Sequence, residues 1–325
     1  MTPKRILYCL ALAASCSLAA TSSAAAKSPI RVGIGDENAA MFSAPAFKAL
    51  GIKRTRYFVP SDVMQNPAEL AKATAFVTAA RAAGVSTLLH ISTTDLREKQ
   101  GKLVSTTTYK RNVAKIVATF HKLGVKDFGA WDEVNHKTQE TWNHVGNAVS
   151  YFKSMWSAVH SRCASTCNVV GLDVLDQAGV DRYIASFYKR LSSTWRKRLK
   201  VVGIHNYSDV NRSRSSGTSL IVKSVRKYNR STRFWFTETG ALASFKGSFP
   251  YSESRQASRL KNMFSLATKF RSQGVDRVYA YNWFGIENGP SCGSSCLFDS
   301  GLVSATGALR PAYTVFKAKL AGFSR

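Results

Sequence analysis

The segment Phe128-Gly-Ala-Trp-Asp-Glu-Val-Asn135 runs hydrophobic residues directly into a carboxylate, that of Glu133. A second segment, Phe234-Trp-Phe-Thr-Glu-Thr-Gly240, does the same at Glu238. Strand interiors disfavour charge, so an acid at such a tip has either a charged partner or a chemical role. Both segments are therefore typical of buried strands with functional carboxyl ends, and the other strands decide the fold.

Eight short apolar runs are predicted to be strands, and the longer amphipathic runs between them are predicted to be helices. The strand candidates are residues 30–35, 54–59, 86–91, 127–133, 168–175, 201–207, 233–237 and 277–284. The helix candidates are residues 67–83, 109–123, 141–160, 181–191, 219–229, 254–273 and 311–320. Several helix candidates end at a glycine that leads into the next strand, as at Gly84, Gly124 and Gly274.

The alternation of strands and helices predicts a parallel sheet, because parallel strands need a crossover connection. Near-continuous apolar strands predict burial on both faces of that sheet. Eight such units in this length match an α/β fold, the (β/α)8 TIM barrel, as a single domain over residues 27–325. A dinucleotide-binding sheet is a poorer match, since Gly33 and Gly35 lack the third glycine of the Gly-x-Gly-x-x-Gly turn.

Residues 1–26 have the pattern of a signal peptide. Lys4 and Arg5 precede an apolar stretch over residues 6–20, and residues 24–26 are three alanines suited to cleavage. Lipid attachment at Cys16 is the weaker alternative. No later apolar run approaches membrane-spanning length, so no transmembrane segment is predicted. The mature chain is expected to be secreted or associated with the cell wall.

Four cysteines remain after the signal, as two close pairs. An even count in an exported chain predicts two local disulfides, Cys163–Cys167 and Cys292–Cys296. A zinc site is the rival interpretation, but only His160 lies near either pair in the sequence, and the spacings exceed Cys-x-x-Cys. No metal or organic cofactor is predicted.

The formal net charge of +27 is large and spread along the chain, with denser patches at residues 190–200 and 223–230. A nucleic-acid partner is not predicted, because no aromatic-basic recognition motif or helix-turn-helix pattern is present. For an exported protein, anionic cell-wall polymers or acidic lipid surfaces are the expected polyanions. The alternative, given equal weight, is a basic enzyme whose charge serves solubility.

A barrel builds its active site at the carboxyl ends of its strands. Glu133 ends the fourth predicted strand, Glu238 the seventh, and His205-Asn-Tyr207 the sixth. Arg56 lies in the second strand and Trp283 in the eighth. These side chains are expected to converge on one rim, where two facing carboxylates are the minimal apparatus for cleaving a glycosidic bond.

These segments resemble the motifs of clan A of the glycoside hydrolases. Trp131-Asp-Glu-Val-Asn135 is similar to the clan's Trp-Asn-Glu-Pro-Asn, and Trp235-Phe-Thr-Glu-Thr-Gly240 is similar to its Trp-x-Thr-Glu-x-Gly. His205-Asn-Tyr207 is similar to the His-x-Tyr of strand six, and residues 298–313 look like the stretch before the clan's final helix. The resemblance covers essentially the whole mature chain.

The resemblance implies a retaining glycosidase that acts on a β-linked polysaccharide, with Glu133 as acid/base and Glu238 as nucleophile. Arg56 and Tyr207 are expected to contact Glu238, and tryptophans are expected to offer flat apolar faces to sugar rings. The expected substrate-binding residues are Arg56, Trp131, Asp132, His205, Tyr207 and Trp283.

Several assignments have a structural alternative. Arg56 pairs with Asp62 or another acid in that interpretation, and Trp283 packs within the barrel. His205 is then a buried histidine that holds Tyr207 or Glu238 in place. Further candidates on the same rim are Asp36, Glu37, Asn38 and Glu287.

One departure from the clan pattern stands beside the expected acid, where Asp132 replaces the usual Asn. That Asn donates a hydrogen bond to the sugar 2-hydroxyl, whereas an ionised Asp only accepts. The second negative charge is expected to raise the pKa of Glu133, and the lost donor is expected to slow the reaction. The rival hypothesis is therefore a catalytically weak or inactive barrel that binds carbohydrate or cell wall.

Overall fold

The computed structural model describes residues 30–93, 103–286 and 297–325, which form a closed barrel of eight parallel strands. The strands follow one another around the barrel in chain order, and β8 closes onto β1. They are β1 Arg31–Gly35, β2 Arg54–Pro60, β3 Ser86–Ser92, β4 Asp127–Gly129, β5 Asn168–Leu175, β6 Val201–His205, β7 Arg233–Thr239 and β8 Val275–Tyr281. The predicted (β/α)8 TIM barrel, as a single domain, is confirmed.

Helices connect the strands and cover the outside of the barrel. They are α1 Pro45–Leu50, α2 Pro67–Ala82, α3 Thr106–Lys122, α4 Val145–Cys163, α5 Val180–Lys189, α6 Ser193–Arg198, α7 Tyr207–Asn211, α8 Ser216–Arg226, α9 Glu253–Phe270 and α10 Pro311–Leu320. Short 3-10 helices lie at Ala39–Ser43, Val63–Gln65 and Arg271–Gln273. Within the described ranges, no helix has the length and apolar content needed to cross a bilayer.

Local sequence sets the ends of these helices. At the start of α2, the Asn66 side chain accepts a hydrogen bond from the Glu69 amide and proline occupies the first turn. Gly84, Gly124 and Gly274 have φ angles of 68°, 97° and 97°. Glycine adopts this left-handed conformation without a steric penalty, so each one ends a helical segment and turns the chain toward the next strand.

The predicted and observed boundaries differ most at β4. The strand ends at Gly129, four residues earlier than predicted. Beyond it, the Ala130 amide still donates to Val170 of β5 and the Asp132 amide donates to Ile91 of β3, so single hydrogen bonds to both neighbouring strands continue past the regular strand. Its side chains stay buried, which is why hydrophobicity alone does not reveal the strand end. The short helices α1, α6 and α7 are absent from the prediction because they span too few residues to show a periodicity.

The inside of the barrel is filled by side chains rather than open. Leu88, Val170, Val201, Trp235 and Tyr279 form a separate buried cluster between the strands. The larger apolar core lies between the outer face of the sheet and the helices. A filled lower barrel leaves the carboxyl ends of the strands as the place for a site.

One predicted disulfide is confirmed. Cys163 and Cys167 are bonded, with their Cα atoms 5.8 Å apart, at the end of α4. The rival zinc interpretation of this pair is therefore wrong. The second predicted pair, Cys292 and Cys296, lies outside the described residues.

Replacing both Cys163 and Cys167 by Ser is expected to lower the free energy of unfolding only slightly. The bond closes a loop of four residues in sequence separation, and a loop this short removes only about 2 kcal/mol of denatured-state entropy. Urea titration of the double variant measures the loss. A loss well above that value would show that the bond holds more than its own turn.

Candidate active site

The strands bring the two glutamates to the same end of the barrel. Glu238 lies within β7, and His205 at the end of β6 is its direct partner in the strand register. Glu133 follows β4 after three residues that lie outside any regular strand. Its φ angle of 37° is unusual for a residue with a side chain. Such backbone conformations cluster at functional sites.

Two donors hold the Glu238 carboxylate. Arg56 Nη1 lies 2.6 Å from Oε2, and the Tyr207 hydroxyl donates to Oε1 at 2.8 Å. Glu238 is 8% exposed and Arg56 only 1%. The expected contacts of Arg56 and Tyr207 with Glu238 are confirmed, so Arg56 does not use Asp62 as its partner.

The Glu133 carboxylate is held by histidines instead. His205 Nδ1 lies 2.9 Å from Oε1, and His136 Nδ1 lies 3.6 Å from Oε2. Burial favours the protonated carboxyl, but the hydrogen bond and charge of His205 outweigh it and lower the pKa of Glu133. The expectation that the charge of Asp132 raises the pKa of Glu133 is therefore wrong, because the neighbouring imidazole dominates.

His205 connects the two glutamates. Its Nδ1 atom is 2.9 Å from Glu133 Oε1 and 3.8 Å from Glu238 Oε2. These two oxygens are therefore at most about 7 Å apart, a range that includes the separation of about 5–5.5 Å required for a retaining mechanism. Both carboxylates therefore lie at the same end of the barrel, on either side of the His205 ring nitrogen.

A buried carboxylate fixes the orientation of His205. The other ring nitrogen, Nε2, lies 2.9 Å from Asp173 Oδ2, and both residues are fully buried. Burial opposes a charge on the imidazole, yet Asp173 and Glu238 outweigh it and raise the pKa of His205 well above its usual range. Of the two alternatives for His205, the structure places it as a buried histidine that positions the glutamates.

The polar network around His205 and Asp173 fits inside the closely packed barrel because two strand positions, Gly203 and Gly129, have no side chain. A Cβ atom on Gly203 would lie 1.6 Å from Asp173 Oδ1, and one on Gly129 would lie 2.1 Å from the His90 ring. Burial lowers the pKa of His90 to about 3, so this second histidine is neutral. The glycines of β4 and β6 thus make space for polar groups inside the barrel.

Asp132 lies beside Glu133 and contacts Arg56. Its Oδ1 atom is 2.5 Å from Arg56 Nη2. Burial is the largest influence and raises the pKa of Asp132 well above its usual range, although Arg56 and His205 act in the opposite direction. Burial thus favours the protonated form of Asp132, which is a donor as well as an acceptor.

Both predicted tryptophan platforms are buried. Trp131 is 1% exposed and packs against Tyr109 and Tyr151, with its indole N–H donating to Gln139. Trp283 is also 1% exposed. Neither ring presents a face to solvent, so we correct the assignment of Trp131 and Trp283 as sugar contacts, and their role is packing.

The half-buried aromatic rings at the mouth are different residues. Phe58, Tyr281 and Phe298 each keep part of the side chain exposed. The Phe298 ring lies edge-on to Tyr207 at 5.1 Å and is 6.2 Å from the Tyr281 ring. These rings, rather than the tryptophans, can offer an apolar face to a sugar.

The acidic loop after β1 joins the same rim. Asp36 accepts from the amides of Trp283 and Phe284, so it ties the loop to the segment after β8. Glu37 Oε2 accepts from the Tyr281 hydroxyl at 3.0 Å. Burial and the charge of Asp36 raise the pKa of Glu37 to about 8. Glu287, the other candidate, lies outside the described residues.

Two buried groups of three donor atoms here have the spacing of metal ligands. They are His90, Asp132 and Asp173, and Asp132, His205 and Glu238. Arg56 contacts the carboxylates of both groups, at 2.5 Å from Asp132, 2.6 Å from Glu238 and 3.6 Å from Asp173. The guanidinium thus already supplies positive charge where a cation would bind.

Comparison with solved structures shows which proteins share this fold. A glucosidase from Croceicoccus marinus is similar, with a TM-score of 0.65 and 13% identity over 90% of this chain and 67% of that one. A GH5_18 protein from Streptomyces cattleya, solved in complex with GlcNAc, has a TM-score of 0.62 and 14% identity over 91% of this chain and 80% of that one. A fungal β-1,4-galactanase has a TM-score of 0.65 and 14% identity over 89% of this chain and 99% of that one.

The protein has the fold of the clan A glycoside hydrolases. No protein-family model and no curated protein matches the chain. The similarity is therefore one of backbone fold. The role of each side chain at the rim follows from its own contacts.

The sequence predictions missed two polar residues inside the barrel. His90 and Asp173 are fully buried in β3 and β5 and contact Arg56 or His205. A signal was present, because both interrupt otherwise apolar runs, Leu88-Leu-His-Ile91 and Gly171-Leu-Asp-Val174. A buried ionisable residue needs a partner.

Proposed function

We propose that this protein is an exported retaining glycoside hydrolase that acts on a β-linked polysaccharide. The observation that carries the proposal is the convergence of Glu133 and Glu238 on one His205 nitrogen. The similar solved structures include a glucosidase and a β-1,4-galactanase, which supports a glycan as substrate. Export by residues 1–26, with lipid attachment at Cys16 as the weaker alternative, is part of the proposal.

In the first step, Glu238 attacks the anomeric carbon while Glu133 gives its proton to the departing oxygen. A covalent glycosyl-enzyme forms and the glycosidic C–O bond breaks. Arg56 and Tyr207 fix the orientation of the attacking carboxylate. In the second step, Glu133 takes a proton from water, the water oxygen bonds to the same carbon, and Glu238 leaves.

The proton for the first step is shared between two residues. The pKa of Glu133 is lowered and that of His205 is raised, so in the resting site the proton lies mainly on His205. The 2.9 Å contact between His205 Nδ1 and Glu133 Oε1 provides the path to the carboxylate. The pair, rather than Glu133 alone, acts as the acid, and the ionised Glu133 suits the second step.

Replacing Asp132 by Asn is expected to raise kcat/KM at neutral pH by up to about 10-fold, the value of one hydrogen bond. The amide keeps an oxygen for Arg56 and always carries a donor. The natural carboxyl loses its donor when it ionises, so its activity falls as the pH rises, and the Asn variant should lack that alkaline limb. Rate measurements across pH test this. A large loss of activity in the Asn variant would show that the charge of Asp132 is required.

A panel of β-linked soluble and wall polysaccharides tests the proposed reaction. Reducing-sugar release identifies the substrate, and proton NMR of the fresh product gives its anomeric configuration. A β product is expected from a retaining enzyme. An α product at the first time points would contradict the roles of both glutamates.

A carbohydrate-binding protein without turnover is the second candidate. The lowered pKa of Glu133 favours it, because a general acid has to hold its proton. Dinitrophenyl β-glycosides separate the cases, since their leaving group needs no protonation. Rapid cleavage of these compounds with slow cleavage of glycans indicates a weak acid. Binding by calorimetry with no cleavage of either indicates a binding protein.

A further inference from the structure

The end of the barrel opposite the candidate site is rich in basic residues. Each of the seven helices from α1 to α9 that directly precedes a strand has a Lys, Arg or His in its last turn. Since helices run antiparallel to the strands, all these turns lie at the amino ends of the strands. The fold thereby places basic residues from seven separate helices on one face.

Helix stability explains only part of this pattern. Cations in the last turn of a helix interact favourably with its dipole, by about 0.3–1 kcal/mol each. Arg230 lies four residues beyond the last residue of α8, where that effect has faded. Lys227 caps α8 and Lys200 follows the cap of α6, and all three side chains are exposed. The acids among the described residues of this face are Asp127 and Asp276, and Arg277 and Arg233 already pair with them.

The charge is densest at the turns before β6 and β7. Residues 189–200 contain six Lys or Arg and no acid, and residues 223–233 contain five and no acid. The Asn229 side chain donates to the carbonyls of Arg196, at 2.7 Å, and Leu199, at 3.1 Å, so it binds the two turns together. The two basic segments form one continuous, rigid surface, which we call the basic face.

Aromatic rings of the basic face are covered by guanidinium groups. The Arg198 side chain lies 4.2 Å from the Trp156 ring and 4.6 Å from the Trp195 ring, and Arg196 lies 5.5 Å from the Tyr228 ring. Proteins that bind single-stranded nucleic acids need open aromatic faces on which bases stack. The chemistry of this surface suits a ligand that has charge but no bases.

We propose that the basic face binds an extended polymer of phosphodiester-linked polyols, such as poly(glycerol phosphate). Such a chain has one negative charge per unit, and the exposed cations of the two turns supply the complementary charge. The face and the candidate active site lie at opposite ends of the barrel. A polymer can therefore hold the protein in place while the opposite end, with Glu133 and Glu238, remains free for a glycan.

The test compares two variants with equal changes in charge. The first is Lys197→Gln, Lys200→Gln, Lys227→Gln and Arg230→Gln, on the basic face. The matched control is Lys110→Gln, Arg111→Gln, Lys115→Gln and Lys261→Gln, on α3 and α9. All eight side chains have no ion pair within the part of the chain that the structure describes. Calorimetry with poly(glycerol phosphate) at several salt concentrations gives the affinity of each variant.

The basic-face variant is expected to bind at least about 10-fold more weakly near 0.15 M salt, with a shallower salt dependence. The affinity of the control variant is expected to stay within about 3-fold of that of the natural chain. The control loses the same net charge, which sets the unspecific attraction, but keeps every cation of the basic face. Equal losses in both variants would overturn the proposed face. Tighter binding of duplex DNA or phosphatidylglycerol vesicles than of poly(glycerol phosphate) would overturn the proposed partner. Glycan hydrolysis is a separate readout and should not change in either variant.

Discussion

Replacing Glu238 by Gln is expected to reduce turnover by at least about 10⁴-fold, because loss of the nucleophile in a covalent mechanism costs up to about 10⁶ in a well-studied hydrolase. The amide keeps the size of the side chain and can still accept from Tyr207 and Arg56. It cannot form the glycosyl-enzyme bond. Steady-state rates on the glycan found in the panel measure the loss, and Glu69→Gln, on the exposed part of α2, is the control.

The matching change at Glu133 should have a smaller effect and a different signature. Loss of an acid/base group costs about 10²–10⁴-fold. Glu133→Ala should keep much of its rate on dinitrophenyl glycosides, and added azide should attack the glycosyl-enzyme to give a β-glycosyl azide. Equal behaviour of the Glu133 and Glu238 variants would contradict the division of roles. Wild-type rates in both would exclude the two-glutamate mechanism.

Replacing Arg56 by Met is expected to lower the free energy of unfolding by about 3–5 kcal/mol, the loss typical of breaking a buried ion pair by removing one partner. Arg56 is 1% exposed and lies 2.6 Å from Glu238 and 2.5 Å from Asp132. Met fills a similar volume but leaves the carboxylates of Glu238 and Asp173 buried without their cation. Activity should also fall, because Glu238 loses one of its two donors.

The pH dependence of this loss follows from Asp173. Burial is outweighed by His205, His90 and Arg56, so the pKa of Asp173 is lowered in the folded state. A lowered pKa stabilises the fold above the unfolded value of about 3.9, and the benefit is lost as the pH falls. The Arg56→Met variant should therefore differ most from the natural chain near neutral pH and least in acid. Urea titrations at several pH values measure this difference.

Arg277→Met is the matched control for Arg56. Arg277 is also buried, lies 2.5 Å from Asp127 and stacks on Trp235 at 3.8 Å. It lies at the opposite end of the barrel from Glu238. A similar loss of stability is expected, with unchanged activity per folded molecule. If both variants lose activity equally, the loss at Arg56 reflects stability rather than its contact with Glu238.

Much of the architecture could be predicted from the sequence. Short apolar runs, amphipathic stretches and the glycines at Gly84, Gly124 and Gly274 mark the repeating unit, because these signals act within a few residues. The end of β4 was harder to predict, since Ala130 and Trp131 are as hydrophobic as strand residues. Hydrophobicity indicates burial, and burial continues past Gly129, the last residue of the regular strand.

The candidate site was predicted less completely than the fold. Position at a strand end identified Glu133, Glu238, Arg56 and Tyr207. It gave no information on the direction of side chains, so Trp131 and Trp283 were assigned to sugar contacts although both are buried. The protonation states of Glu133 and His205 also could not be predicted from the sequence. The pKa of Glu133 depends on a His205 contact across 72 residues of chain.

The sequence by itself determined that this chain folds as a barrel of eight strands with acids at two of their carboxyl ends, because periodicity and strand-end position are local properties. Only the tertiary structure decided which of these groups meet. Arg56 and Glu238 are 182 residues apart and come within 2.6 Å only when the sheet closes. Charges and proton affinities depend on such distances, so the chemistry of the rim is a property of the closed barrel.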